Sequence, residues 1–412
     1  MPLNLEQAYL DLFFQLQRQQ WENYAETASH DLGEINRAIY TLLDAAGPEN
    51  PFQGRKAIVW QAIRNRGRVD NHPDVAALRN RLDDWDNYAP ESTPADRQAD
   101  RLPLARKMRA DVLELLELRQ QLAREQGFAS YVDLVLASED LSRVTVVNLI
   151  KQYLQANLAK ARALRERYQI SWPTWFSDLD SLGSTALLGH DRTELVTTLL
   201  FELGLSSCQN GLTIVSQPDG FGYTGVLRPA CDIRILIDDN ASLRGILTLG
   251  HELGHALAHL FNRNSGLFLT WATSFDESMA VTLEQIAARL WLSPQEQRLA
   301  YDLQILEGVR CSLSCLFELA LWENPAQAEA NYLEYYGQLG LDLGDPAIWA
   351  LDSFRSIDPV YIHNYVLGDI VARRTLAHLE RLYGADYGAW GNWLVEHYYA
   401  AGREQTLLEK AQ

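Results

Sequence analysis

Residues 251–255 of this 412-residue chain read His251-Glu252-Leu253-Gly254-His255. In an α-helix, residues four positions apart lie one turn above each other, so His251 and His255 point to the same side. Glu252 lies beside them. This is the H-E-x-x-H pattern, in which the histidines bind zinc and the glutamate acts as a general base. We therefore predict a helix that carries a site for one Zn²⁺ ion.

A third metal ligand must come from elsewhere, because catalytic zinc usually takes three protein ligands and keeps a fourth position for water. The three-histidine version of the motif is excluded, since Ala258 and Phe261 occupy its Gly and His positions. The remaining class takes a glutamate from a later helix. After a turn at 262–266, Glu277 lies near the start of the next predicted helix. We favour Glu277 as the ligand and keep Glu284, two turns along the same face, as a ligand or a partner that orients a histidine.

The residues before the motif predict a strand followed by a buried helix. Isoleucine alternates with other residues at Ile233, Ile235 and Ile237, which is typical of a β-strand. Apolar residues at 243–260 then cover more than one face of the predicted helix, which indicates a position in the interior. A buried helix holds its metal ligands rigidly.

The glycine-rich stretch at 220–225, GFGYTG, matches the dinucleotide-binding pattern in its spacing. That pattern requires a helix to open at the glycines, whereas the following residues are β-like and end in Pro229. We therefore predict a β-hairpin instead. Its edge would bind an extended peptide as an added strand, with Gly225, Val226 and Arg228 as substrate-binding residues.

On these residues the chain resembles the thimet oligopeptidase and oligoendopeptidase F family of zinc peptidases, and more distantly angiotensin-converting enzyme. The matching helix reads T-L-x-H-E-x-G-H-A at 248–256, and the later segment has Phe275, Glu277 and a second glutamate, Glu284, seven residues on. The resemblance implies that Glu277 binds zinc. It also implies a mainly α, two-lobed helical zinc-peptidase fold with a deep central cleft and a small β-sheet next to the H-E-x-x-H helix.

Near the C-terminus, Tyr361, His363 and Tyr365 are similar to the tyrosine cluster that these peptidases place over the zinc to hold the substrate carbonyl. The Asp-Pro pair at 358–359 predicts a helix cap and a first-turn proline, which places both tyrosines on one helix face. His363 would point roughly opposite. Together with Glu252, these three residues are our candidates for the catalytic groups.

Length and composition indicate one continuous peptidase unit. The chain is long enough to bury a large core, and its 14 prolines and 25 glycines form no linker. We predict a helical N-terminal lobe at 1–205 that covers the cleft. The catalytic lobe at 206–412 would carry the small β-sheet, the H-E-x-x-H helix and the C-terminal helices.

The net charge and the N-terminal sequence limit which partners we expect. A net charge of −18 at pH 7 argues against nucleic-acid binding, because phosphates would be repelled. The sequence has no apolar run of membrane-spanning length, and because its first residues lack a basic start and an apolar core we expect no signal peptide. Its 4 cysteines are too few for a disulfide framework. We expect a cytoplasmic protein with neither nucleic acid nor membrane as a partner, and find no signal for an oligomeric state.

The leading hypothesis is zinc-dependent hydrolysis of short unfolded peptides by an oligoendopeptidase, with Glu252 as the base. A metallocarboxypeptidase is the alternative, and it would need a cation such as Arg310 or Arg355 to bind the terminal carboxylate. A dedicated processing peptidase for one peptide is a third possibility. A non-catalytic peptide-binding protein is the alternative of another class, but structural zinc sites need no base beside their ligands.

Overall fold

The described part of the protein is mainly α-helical and has one small β-sheet, as the sequence predicts. Its computed structural model describes residues 2–26, 28–47, 49–89, 101–183, 191–218, 221–239, 242–270 and 273–410. Among these residues, no helix is both long enough and apolar enough to cross a membrane.

The first half of the described chain forms helices, several of which begin at polar caps. Ser130, Ser142 and Asp191 each accept a hydrogen bond from a first-turn N–H of the following helix. One long helix ends where Gly127 takes a left-handed backbone conformation with φ +86°. The helices are α1 (Pro2–Ala25), α2 (Leu32–Ala45), α3 (Gly54–Asp70), α4 (Pro73–Asp83), α5 (Arg101–Glu125), α6 (Tyr131–Ser138), α7 (Arg143–Arg167), α8 (Trp175–Ser181) and α9 (Arg192–Glu202).

The β-sheet has three strands, β1 (Leu212–Gln217), β2 (Tyr223–Arg228) and β3 (Asp232–Asp238), in the order β1-β3-β2. The central strand β3 is parallel to β1 and antiparallel to β2. The predicted strand at 233–237 and the predicted hairpin are therefore confirmed, although residue 220 lies outside the described residues. Among the described residues β2 pairs only with β3, so it is an edge strand.

Two helices that pack backbone to backbone follow the sheet. They are α10 (Leu243–Leu260), which carries the H-E-x-x-H motif, and α11 (Thr273–Trp291). A Cβ atom at Gly254 would lie 2.6 Å from Cα of Ala280 and 2.6 Å from the backbone oxygen of Met279. Only glycine leaves room for this approach. The glycine inside the motif therefore brings the predicted metal ligands of both helices close together.

The C-terminal part forms a further helical layer. Its helices are α12 (Pro294–Glu323), α13 (Ala328–Tyr336), α14 (His363–Tyr383), α15 (Tyr387–Trp393) and α16 (Leu407–Lys410), with a π-helix at Leu394–Tyr399. The prediction that a helix begins at 358–359 is wrong. Val360 has φ +57°, a left-handed conformation that interrupts a right-handed helix, so Tyr361 precedes α14.

One hydrophobic core joins the predicted N-terminal lobe, 1–205, to the predicted catalytic lobe, 206–412. A single cluster of buried side chains includes residues before position 205 and residues after it, and it covers one face of the sheet through Ile233, Ile235 and Ile237. The opposite face packs Leu236 against Trp21 of α1. The sheet therefore lies between α10 and the N-terminal helix. The lobe boundary at 205 stays a prediction.

Candidate active site

The structure brings His251, His255 and Glu277 to one point. One possible ligand atom from each residue lies within 4.8 Å of the others, and no other group of three His, Cys, Asp or Glu residues in the described chain has this geometry. The two imidazole centroids are 5.0 Å apart on adjacent turns of α10. A carboxylate oxygen of Glu277, on α11, lies 3.3 Å from Nε2 of His251.

This set of donors fits a zinc ion. Glu277 is 2% exposed, and its Oε2 atom accepts no hydrogen bond. A buried carboxylate oxygen without a partner is unfavourable, and a cation between it and two imidazoles would compensate its charge. Two histidine nitrogens and one carboxylate oxygen are also a combination that catalytic zinc takes in proteins.

The two histidines differ in their electrostatic surroundings. Burial lowers the pKa of His255 to about 4, which keeps the ring in the neutral form that binds metals. Burial acts on His251 in the same way, but its contacts with the carboxylates of Glu277 and Glu284 outweigh burial and raise its pKa well above the usual value. A metal ion between His251 and Glu277 would take the place of the proton that these contacts stabilise.

Glu284 lies on the far side of His251. Its Oε2 atom is 3.2 Å from Nδ1 of the ring, while Nε2 faces Glu277. Of the two roles considered for Glu284, this position fits the orienting partner. A carboxylate at Nδ1 fixes the ring orientation and leaves Nε2 available to a metal.

The glutamate of the motif is held by the strand in front of it. Thr224 of β2 places its hydroxyl 2.8 Å from Oε2 of Glu252 and 3.0 Å from its backbone oxygen, in position to donate to either. A Cβ atom at Gly222 would lie 2.6 Å from Oε1 of Glu252, so a side chain there would displace the Glu252 carboxylate. Burial raises the pKa of Glu252 to about 7, a value suited to a general base near neutral pH. The sequence did not predict that Thr224 and Gly222 contact Glu252, although both residues lie in the glycine-rich stretch at 220–225.

The two tyrosines take different positions. The hydroxyl of Tyr361 donates a short hydrogen bond to Glu277. The Tyr365 ring lies 6.4 Å from the His251 ring, and among the described residues its hydroxyl has no hydrogen-bond partner. Tyr361 therefore orients Glu277, while the Tyr365 hydroxyl is available to a bound molecule.

His363 is not brought to this site. Its side chain is 2% exposed, and Nε2 lies 3.5 Å from Oε2 of Glu139 at the end of α6. Burial acts to raise the pKa of Glu139, but the hydrogen bond and charge of His363 lower it below its usual value. The pair ties α14 to α6, on the side of α14 opposite Tyr365, and its position gives no support to a catalytic role for His363.

The predicted substrate-binding residues of β2 are not among the residues that line the cleft. A Cβ atom at Gly225 would lie 2.7 Å from the Trp21 ring, and Val226 is buried in the main core. Arg228 is exposed at the end of the strand. The predicted pairing with a peptide strand would therefore use the backbone edge of β2 and not these side chains.

A cleft of about 440 Å³ opens beside the predicted metal ligands. His251, Glu252 and Tyr365 line it, and so does Arg310 of α12. The other candidate cation, Arg355, is buried in ion pairs with Glu318 and Asp352. Of the two arginines considered for carboxylate binding, only Arg310 reaches the cleft.

The described residues combine an H-E-x-x-H helix, a glutamate on the next helix and a small sheet in one mainly helical fold. No protein-family model matches the chain, and no curated protein matches its sequence. Solved structures do share the fold. The M32 carboxypeptidase from Deinococcus radiodurans R1 is 13% identical, with a TM-score of 0.66 over 99% of this chain and 94% of that chain.

Two further structures extend the comparison. A carboxypeptidase from Pyrococcus furiosus is 14% identical, with a TM-score of 0.66 over 98% of this chain and 93% of that chain. An oligoendopeptidase F is 14% identical, with a TM-score of 0.61 over 95% of this chain and 76% of that chain. The predicted fold class is therefore confirmed. The resemblance to oligoendopeptidase F holds at the level of the fold, which carboxypeptidases share.

Proposed function

We propose that this protein is a zinc-dependent peptidase that hydrolyses short, unfolded peptides. The convergence of His251, His255 and Glu277 beside an open cleft carries this proposal. Glu252 separates it from the non-catalytic alternative. A protein that only binds peptides needs no buried carboxylate next to its metal ligands.

The proposed mechanism uses groups that already face the cleft. Bound zinc would lower the pKa of a water molecule and polarise the scissile carbonyl. Glu252 accepts the proton of the attacking water and then donates it to the leaving amine. The Tyr365 hydroxyl donates to the carbonyl oxygen as that atom gains charge, an effect of about 3 kcal/mol for one donor. Tyr361 and Glu284 keep Glu277 and His251 in position.

Endopeptidase and carboxypeptidase are two candidate modes of cleavage. The oligoendopeptidase mode comes from the sequence resemblance. The carboxypeptidase mode is supported by Arg310, which lines the cleft while its guanidinium pairs with Glu307, and a guanidinium is the group suited to a terminal carboxylate. A processing peptidase for one peptide would be a narrower form of either mode. A cytoplasmic location and the absence of nucleic-acid partners stay predictions.

A peptide library tests the proposed activity. The purified protein is incubated with a mixed library of short peptides, with zinc, after chelation, and after zinc is returned. We expect cleavage only in the two samples that contain zinc, with cut positions read by mass spectrometry. Internal cuts favour the endopeptidase, and cuts close to the C-terminus favour the carboxypeptidase. Bound zinc without cleavage would contradict the proposal and favour the peptide-binding protein.

Glu284→Gln is expected to weaken zinc binding by roughly 10–100-fold without unfolding the protein. Glutamine removes the charge that holds Nδ1 of His251 but keeps the shape of the side chain. Competition with a chelator measures the affinity. Glu334→Gln, at an exposed position on α13, is the matched control and should bind zinc normally. Equal affinities in the two variants would contradict the orienting role of Glu284.

A further inference from the structure

The short helix α8 lines the cleft near the N-terminal end of α10. Phe176 and Leu179 of this helix line the same cleft as His251 and Tyr365. Phe176 is 47% exposed, so its ring forms part of the cleft surface. We call α8, together with the two arginines that contact Phe176, the end wall.

Two arginines from different helices hold the Phe176 ring. The guanidinium carbon of Arg244, on α10, lies 5.1 Å from the ring centroid, and that of Arg310, on α12, lies 5.0 Å from it. Both distances are typical of cation–π contacts. Arg244 also forms an ion pair of 3.1 Å with Asp180 of α8. The end wall is thereby attached to the helix that carries the motif.

The base of α8 is anchored to α12. Trp175 is buried and donates a hydrogen bond from its indole to Glu307. Glu307 in turn forms an ion pair of 3.0 Å with Arg310. Leu179 is buried on the same side of α8. These contacts make the end wall a fixed part of the cleft.

The distance from the end wall to the metal site follows from helix geometry. Arg244 and His251 lie seven residues apart on one face of α10. At 1.5 Å per residue this corresponds to about 10 Å along the helix axis. An extended peptide advances about 3.3 Å per residue, so about three residues fit between the metal site and the end wall.

The edge strand gives the direction of the peptide. Gly222, just before β2, approaches Thr248 of α10, and Ala230, just after β2, donates a backbone hydrogen bond to His259. Strand β2 therefore runs in the same direction as α10, away from the end wall. Antiparallel pairing is the commoner arrangement of strands. A peptide paired in this way would direct its C-terminus toward Arg244 and Arg310.

We infer that the end wall limits the peptide to about three residues on the C-terminal side of the scissile bond. The enzyme then releases C-terminal fragments of at most that length, and the two arginines lie where a free carboxylate would arrive. This inference rests on the proposed peptidase function and specifies its substrate class, which is peptides cut close to their C-terminus.

A series of peptides tests the limit, each extended by one more residue beyond the same scissile bond. We expect kcat/KM to fall roughly tenfold or more once the extension exceeds about three residues. Phe176→Ala should remove most of that fall, because it takes away the ring that closes the cleft. Phe201→Ala, at a position on α9 that is 71% exposed, is the matched control and should keep the limit.

Three results would overturn the inference. They are equal cleavage of short and long extensions by the unmodified protein, a limit on the N-terminal side, or an unchanged limit in Phe176→Ala. Calorimetric binding of the same series to Glu252→Gln separates this inference from the proposed activity. Length-limited binding without any cleavage by the unmodified protein supports the end wall and rejects the peptidase. Neither binding nor cleavage of any member rejects both.

Discussion

Glu252→Gln is expected to abolish peptide hydrolysis and to leave zinc binding and the fold unchanged. Glutamine cannot accept the proton of the attacking water, and loss of a general base typically lowers kcat by about 10²–10⁴-fold. The amide oxygen of glutamine can still accept the hydrogen bond from Thr224, so the side chain should keep its place. Steady-state kinetics on a cleaved library peptide measures the effect, with metal analysis and thermal unfolding beside it.

The interpretation of this variant depends on its zinc content. Loss of turnover with full zinc content assigns the base, whereas loss of both would indicate a disturbed metal site. Glu334→Gln makes the same chemical change on the surface and should retain full activity. Normal hydrolysis by Glu252→Gln would remove Glu252 from the mechanism and would contradict the proton transfer proposed for it.

Local sequence rules predicted the parts of the site that depend on local geometry. The facing histidines follow from helical spacing alone. The strand at 233–237 follows from its alternation, and the burial of α10 follows from apolar residues on several faces. The prediction of Glu277 needed more than local rules. The turn at 262–266 placed it near the site, and the family resemblance implied its role. The fold class was predictable because these elements agree with one another.

The remaining features arise from contacts between distant segments. Thr224 meets Glu252 only because β2 packs along α10, and no local pattern encodes that contact. The start of α14 was predicted wrongly because an Asp-Pro pair normally begins a helix, whereas the left-handed Val360 ends the run here. His363 faces Glu139 through packing of α14 on α6. The end wall likewise depends on Phe176 meeting arginines from two other helices.

Glu277→Ala is expected to abolish stable zinc binding and, with it, all hydrolysis. It removes one of three ligands, so the loss of affinity should be far larger than the roughly 10–100-fold typical of partners outside the ligand set. It also takes the acceptor from the Tyr361 hydroxyl and the neighbouring carboxylate from Nε2 of His251. Metal analysis after dialysis measures the zinc content, and thermal unfolding shows whether the chain remains folded.

Comparison with Glu284→Ala separates the two glutamates that the sequence left as candidates. Glu277 faces Nε2 of His251, whereas Glu284 faces Nδ1 of the same ring. A ligand and an orienting partner therefore predict different losses, complete for Glu277→Ala and partial for Glu284→Ala. If Glu277→Ala kept its zinc while Glu284→Ala lost it, the third-ligand role would move to Glu284. The short hydrogen bond from Tyr361 would then have to serve another purpose, because it would no longer orient a metal ligand.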